Sequence, residues 1–327
     1  MKVFAYSCRK FDEEQYFKKY SKEFGIELGF TEEAPTVSNC ELAAGSDFVS
    51  VLTTPITAEV LDGLYKVGVR MVCTRTIGYN HIDLAHAKEI GMIVTHISYS
   101  IDGVSEYTVM MILAAIRNLR MIQRNNAVND FTLKGLMGRQ LRDMTVGIIG
   151  AGGAGKAVLR DLSGFGCKLY YYNRSPSPEA DKLAERISLD ELLERCDVVS
   201  LHLEHNEQTH HIIDAKALAK MKEGSFLVNT ARGPLVDTRA LIDSLRSGHL
   251  AGAALDVIED ELLYYYNDCR DVDLSKHLME ELRAFPNVIL THHMAFYYDR
   301  AIADMVYNSF VGMKAYEEGK DIPMRLA

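Results

Sequence analysis

An arginine, a glutamate and a histidine stand in the last third of the chain, each just beyond an apolar, strand-like run. SFLVNTA leads to Arg232, GAALDVIED to Glu261, and NVILTH to His293. In a parallel sheet the carboxyl ends of the strands share one edge, and ligands bind in the crevice there. Residues distant in sequence can therefore converge on one site. An arginine grips a carboxylate, a histidine moves a proton, and an acid steadies the histidine. That set suits the reduction of a 2-oxo acid. Each residue also has a plainer reading, as a surface charge, a solvated acid or a satisfied loop histidine, but their common placement favours the catalytic one. His292 competes with its neighbour. Successive side chains leaving a strand point to opposite faces, so only one of the two histidines can meet Arg232.

A second signal precedes these. In TVGIIGAGGAGKAV a strand ending at Ile149 runs into Gly150-Ala151-Gly152-Gly153-Ala154-Gly155, where a helix begins. Gly150 permits a tight turn, Gly152 lets a pyrophosphate approach the backbone, and Gly155 allows the helix to pack closely on the strand. The bare N–H groups at the helix start, with its positive dipole end, then hold phosphates. This predicts a dinucleotide site. An acid normally ends the next strand, about 20 residues on, and accepts from the adenosine ribose. Here Asn173-Arg174-Ser175 follows KLYYY instead. Asparagine does not repel a 2′-phosphate and Arg174 can pair with one, so NADPH is expected to be preferred, with NADH as the alternative. Against this, Arg174 can equally face solvent.

These residues need two parallel sheets to position them. Ten strand-like runs (2–6, 47–52, 69–74, 92–96, 145–149, 167–172, 197–201, 225–229, 252–257 and 287–291) alternate with helix-period stretches such as 13–24, 58–66, 154–165, 238–247 and 300–317. Such alternation reads as α/β, with parallel sheets covered on both faces. Ten strands are too many for one small sheet, so the chain divides. Ser105–Arg124 reads as one long helix, apolar all round from Val109 to Ile116, as a helix wedged between domains or subunits would be.

Composition excludes other classes. The 327 residues carry 36 lysines and arginines against 45 acids, a net charge of −9, which repels a phosphate backbone. No nucleic-acid partner is expected. The longest apolar run falls far short of the roughly 20 residues that a membrane span needs, and the N-terminus lacks a signal peptide's apolar core. Six scattered cysteines without a CxxC pair point away from disulfides and toward a cytoplasmic, reducing compartment. His202, His205, His210 and His211 lack the spaced cysteines or acids of a metal site, and His210 and His211 would diverge on an extended chain. The run Tyr264–Tyr266 reads as a solvated loop.

Four stretches, RTIGYNHIDLAHAKEIG (75–91), MTVGIIGAGGAGKAV (144–158), NTARGPLVDTRALIDSLRSGHLAGAALDV (229–257) and NVILTHHMAFYY (287–298), resemble the D-isomer-specific 2-hydroxyacid dehydrogenases. Within that family the chain looks most like the D-lactate dehydrogenases, especially the branch found in glycopeptide-resistance clusters. The likeness covers nearly the full length. It implies a flavodoxin-like substrate domain, residues 1–99 and 297–327, with a Rossmann dinucleotide-binding domain, residues 100–296, inserted into it and the active site in the cleft. It also implies that Arg232 binds the carboxylate and carbonyl oxygen, His293 is the acid/base, and Glu261 hydrogen-bonds His293. Ile77 and Gly78 would offer main-chain N–H groups to the carboxylate, and Tyr99 and Phe296 would line the side-chain pocket. On the cofactor, Gly153 and Ala154 match the pyrophosphate contact, and Leu203, Glu204 and Thr209 match the adenosine loop. Thr230, Ala231 and Asp256 match the nicotinamide side.

Three family prolines are absent, leaving Ile101, Glu204 and His292 in their places. Proline fixes φ and removes a donor, so these loops are expected to be freer. Glu204 would also oppose a 2′-phosphate. The expected activity is reversible hydride transfer from NAD(P)H to a small 2-oxo acid, pyruvate to D-lactate, by a homodimer. The alternatives are a reductase of branched or aryl 2-oxo acids and a nucleotide-sensing, co-repressor-like binding protein.

Overall fold

Apolar runs bounded by glycine or polar turns become strands, and the amphipathic stretches between them become helices. The computed structural model describes all 327 residues. Along the chain come β1 (Lys2–Ala5), α1 (Glu14–Phe24), β2 (Glu27–Phe30), β3 (Phe48–Val51), α2 (Ala58–Lys66), β4 (Met71–Thr74), α3 (Leu84–Glu89) and β5 (Ile93–Thr95). Then follow α4 (Asp102–Ile116), α5 (Leu119–Ala127), β6 (Thr145–Ile149), α6 (Gly153–Ser163), β7 (Lys168–Tyr172), β8 (Glu185–Arg186), α7 (Leu189–Arg195) and β9 (Val198–Leu201). The last are α8 (Ala215–Lys220), β10 (Ser225–Asn229), α9 (Thr238–Ser247), β11 (Leu250–Leu255), α10 (Leu278–Ala284), β12 (Val288–Leu290) and α11 (Asp299–Glu317).

The chain forms two units, Met1–Ser100 with Tyr297–Ala327, and Ile101–Phe296. The first holds a five-stranded sheet in the order β2-β1-β3-β4-β5, the second a seven-stranded sheet in the order β12-β11-β10-β9-β6-β7-β8. Every pairing in both sheets is parallel. The first order is that of flavodoxin-like sheets and the second contains the Rossmann order, each reversing direction at a switch point where ligands bind. Strands β3, β4, β9 and β10 are buried along their whole length, as parallel strands covered on both faces must be.

In the first unit a buried ion pair ties the start of α1 to the end of β4. Arg75 and Glu13 have fully buried side chains, with Nε 3.1 Å from Oε1. Arg75 also donates to the Ser50 hydroxyl and to the carbonyl of Tyr6, both at 3.1 Å. Burial alone would raise the Glu13 carboxyl, but the Arg75 and Arg9 guanidinium groups outweigh it and hold it below its ordinary value.

Three expectations need correction. The segment 105–124 is two helices, α4 and α5, because the apolar run ends at Ile116 and Asn118 takes a left-handed φ of 54°. Asparagine tolerates that conformation better than most residues. Two strands, β2 and β8, were not expected. Both are edge strands with no buried residue, so neither shows a continuous apolar run. Strand β11 begins two residues earlier than its apolar pattern suggests, at Leu250.

Candidate active site

Strands β10, β11 and β12 are neighbours, so the residues that follow them emerge at one edge of the larger sheet. At the end of β10, the side chain of Asn229 accepts from the Ala231 N–H at 3.0 Å and donates to the Arg232 carbonyl at 2.8 Å. This closes the turn that carries Arg232. The half-buried Arg232 donates through Nη1 to the Ala231 carbonyl at 2.6 Å and pairs with no carboxylate.

Beyond β11 the chain reaches Asp256, which is fully buried. Its carboxylate accepts from the Thr291 hydroxyl and from the N–H groups of Met294 and Ala295 at 2.8 and 2.9 Å, and its carbonyl accepts the His293 N–H at 2.7 Å. The loop after β12 is thereby stapled to the end of β11. Glu261 opens a short 3-10 turn, where Oε2 accepts the Ile258 N–H at 3.1 Å and Oε1 lies 2.5 Å from Nδ1 of His293. His293 itself has a φ of 57°. With Nδ1 engaged, Nε2 is the nitrogen that remains for proton transfer. His292 points elsewhere, 6.3 Å from the Tyr265 ring, into an apolar groove of about 580 Å³ shared with Met110, Ile289 and Leu290.

In the run Tyr264–Tyr266, expected as a solvated loop, only Tyr266 is exposed, at 52%. Tyr264 and Tyr265 are buried in the core, which pushes both hydroxyls above their ordinary range. Tyr266 stands over the histidine: its hydroxyl donates to the His293 carbonyl at 3.2 Å. The expectation failed because the loop's conformation has no periodic signature. Asp256 as the anchor of the loop was also missed, although a lone acid closing an apolar strand is a readable signal. So was the buried hydroxyl pair of Thr108 and Thr230, at 2.8 Å.

The glycine loop lies at the switch point beyond β6. Gly150 has a φ of 98°, and a Cβ there would come within 2.5 Å of the His202 carbonyl. At Gly155 a Cβ would come within 1.9 Å of the Gly150 carbonyl. At Gly152 the space is open, and α6 starts there without a side-chain cap. The N–H groups of Gly153, Ala154 and Gly155 donate to nothing in the chain, the first such bond along α6 being Lys156 to Gly152. Open space and uncapped donors fit a pyrophosphate. At the end of β7, Asn173 accepts from the Ala151 N–H at 3.1 Å and donates to the Ser175 carbonyl at 2.8 Å. Arg174 donates to Gln208 at 3.1 Å. After β9 come Leu203 and Glu204, whose carbonyl accepts the Thr209 hydroxyl at 2.7 Å. In the same loop, His210 and His211 do not diverge: a turn with His211 at a φ of 49° stacks their rings 4.0 Å apart.

In the first unit, Ile77 and Gly78 follow β4 in a loop closed by the Thr76 hydroxyl, which donates to the Gly78 carbonyl at 2.6 Å. Neither residue's N–H donates within the chain. Tyr99 is half-buried beyond β5. In the second unit, Phe296 lies with its ring 6.1 Å from that of His293.

Comparison with known proteins adds to this geometry. A family model described as the NAD-binding domain of D-isomer-specific 2-hydroxyacid dehydrogenases matches residues 109–295. A D-specific alpha-keto acid dehydrogenase of Enterococcus faecium is 40% identical, over 98% of both chains. An aromatic 2-oxoacid reductase of Clostridium sporogenes is 36% identical, over 97% of this chain and 96% of its own. The crystal structure of a D-lactate dehydrogenase from Treponema pallidum superimposes with a TM-score of 0.92 at 33% identity, covering all of both chains.

Proposed function

Because the chain belongs to the D-isomer-specific 2-hydroxyacid dehydrogenases, we propose roles for its residues in reducing a small 2-oxo acid, pyruvate to D-lactate. The nicotinamide dinucleotide, when bound, supplies the hydride. As negative charge grows on the keto oxygen, Arg232 stabilises it and His293 donates a proton from Nε2. Glu261 orients the ring through Nδ1. The N–H groups of Ile77 and Gly78 receive the substrate's carboxylate, Tyr99 and Phe296 limit its side chain, and the first unit serves as the substrate domain.

One observation carries this reading. A histidine held at 2.5 Å by a carboxylate stands at the same sheet edge as an arginine that has no carboxylate of its own. A nucleotide-sensing binding protein would need no such pair. Branched or aryl 2-oxo acids are the second reading, prompted by the relative named for aromatic substrates.

On the cofactor, the NAD-binding family sets the class, and a preference for NADPH over NADH is our proposal. It is supported by the neutral Asn173 and by two arginines, Arg174 and Arg186, that pair with no acid. Arg174 donates to the neutral Gln208, and Arg186 donates to the carbonyls of Asn173 and Arg174 at 3.0 and 3.1 Å. Gly150, Gly152, Gly153, Ala154 and Gly155 would hold the pyrophosphate. Ser175, Leu203, Glu204 and Thr209 would flank the adenosine, and Thr230, Ala231 and Asp256 the nicotinamide.

A homodimer is supported by the apolar groove beside α4 and by an arm with Phe131, Leu133 and Met137 exposed. Six free thiols suit a reducing, cytoplasmic compartment, and no helix is long and apolar enough to cross a membrane. The deciding experiment is turnover of a panel of 2-oxo acids with NADH and NADPH, with chiral analysis of the product. Pyruvate should be reduced best, to D-lactate. No turnover of any 2-oxo acid, or an L-product, would overturn the reading.

A further inference from the structure

Tyr266, His293 and Phe296 form a triangle of rings. The centroid separations are 6.1 Å for His293–Phe296, 6.4 Å for Tyr266–His293 and 6.5 Å for Tyr266–Phe296. Two of the three contacts are edge-on, with interplanar angles of 81° and 83°. Aromatic pairs in direct contact have centroids about 4.5–7 Å apart, so these rings already touch one another. A substrate ring sliding between two of them would need their faces about 7 Å apart, twice the closest carbon–carbon contact of about 3.5 Å. An aryl group therefore finds no slot in this cluster. It meets a wall.

The wall is held in place by its own contacts. Tyr266 has a left-handed φ of 69°, and its hydroxyl is tied to the His293 carbonyl at 3.2 Å. It directly follows Tyr264 and Tyr265, which the core buries, and is itself 52% exposed. The ring is thus fixed relative to the histidine that carries the proton, although it comes from a loop that precedes that histidine by 27 residues.

We propose that Tyr266 is a specificity-determining residue, whose ring closes the side-chain space beside His293 and Phe296 and restricts the enzyme to 2-oxo acids with small side chains. The proposal rests on the roles given above to His293 and Phe296. A ring at this position discriminates by exclusion, and removing it should open the space to a phenyl group.

The test is the ratio of kcat/KM for phenylpyruvate to that for pyruvate in the wild type and in Tyr266→Ala, Tyr266→Leu and Tyr266→Phe. Truncation to Ala or Leu should raise the ratio about tenfold or more, the discrimination that even one methylene supplies in an apolar pocket. Tyr266→Phe keeps the ring and should keep the ratio. A loss of general fold quality would lower both substrates together and leave the ratio unchanged. An unchanged ratio in the truncated variants, or a shift toward pyruvate, overturns the proposal. A wild type that prefers phenylpyruvate sinks the small-acid reading separately, while the shift on truncation still decides the role of Tyr266.

Discussion

Asp256 and His293 are joined through the main chain, the N–H of His293 donating to the carbonyl of Asp256 at 2.7 Å while the Asp256 carboxylate takes the N–H groups of the next two residues. This closes the loop that turns His293 toward Glu261, with His293 at a positive φ that costs of order 1–3 kcal/mol unless the surroundings hold it. Asp256→Asn turns one acceptor into a donor facing buried N–H groups. It should destabilise the fold by about 1–3 kcal/mol, the cost of an unsatisfied buried group, and lower kcat as the loop loosens. Urea unfolding and steady-state rates measure both. Wild-type values in both would show that the loop holds itself.

The proposed preference for NADPH turns on one charge. Asn173→Asp keeps the acceptor for the Ala151 N–H but places a carboxylate where a 2′-phosphate would lie. A charge-assisted bond contributes about 1.5–3 kcal/mol, or roughly ten- to a hundredfold in affinity. The ratio of kcat/KM for NADPH to that for NADH should therefore fall by about that factor in the variant. A wild type that uses NADH as well or better would refute the preference.

The most legible strands are those buried on both faces. Thr145–Ile149 and Ser225–Asn229 read as continuous apolar runs because parallel strands under helices have no polar side. The edge strands Glu27–Phe30 and Glu185–Arg186 have a wet side and a short pairing, so their composition is that of a loop. Strand pattern likewise brings Arg232, Glu261 and His293 to one edge. It does not reach the contacts made there, since Asp260, Tyr266 and His293 all take left-handed backbone conformations that leave no periodicity. The same holds for His210 and His211, which a turn stacks and an extended chain would separate.

The proposed homodimer rests on the surface of the second unit. Leu133 and Met137 are 87% and 91% exposed, and Met110 is 47% exposed at the apolar groove. Apolar area of this kind commonly marks a contact between chains. Light scattering at micromolar concentration should return twice the chain mass, and Met110→Glu should return the single mass. A wild-type monomer would contradict the dimer.

Acid stability is tied to Glu13. Its folded-state pKa lies below the ordinary 4.5, so its pairing with Arg75 contributes stability above that value and loses it as pH falls through the folded pKa. Glu13→Gln leaves the buried Arg75 without its counter-charge, a loss of about 3–5 kcal/mol. Urea unfolding from about pH 7 to about pH 3 should show the variant less stable at neutrality and flatter on the acid side. Equal stability at neutrality would show that the pair is dispensable.

The most direct test of the proposed proton donor is the rate of pyruvate reduction, at saturating cofactor, by His293→Ala and His292→Ala. His293 meets Glu261 at 2.5 Å, whereas His292 faces the groove beside Tyr265. His293→Ala should lower kcat by about 10²–10⁴, the usual contribution of a general acid, with cofactor still bound. His292→Ala should retain most of its activity. An active His293 variant beside a dead His292 variant would contradict the account.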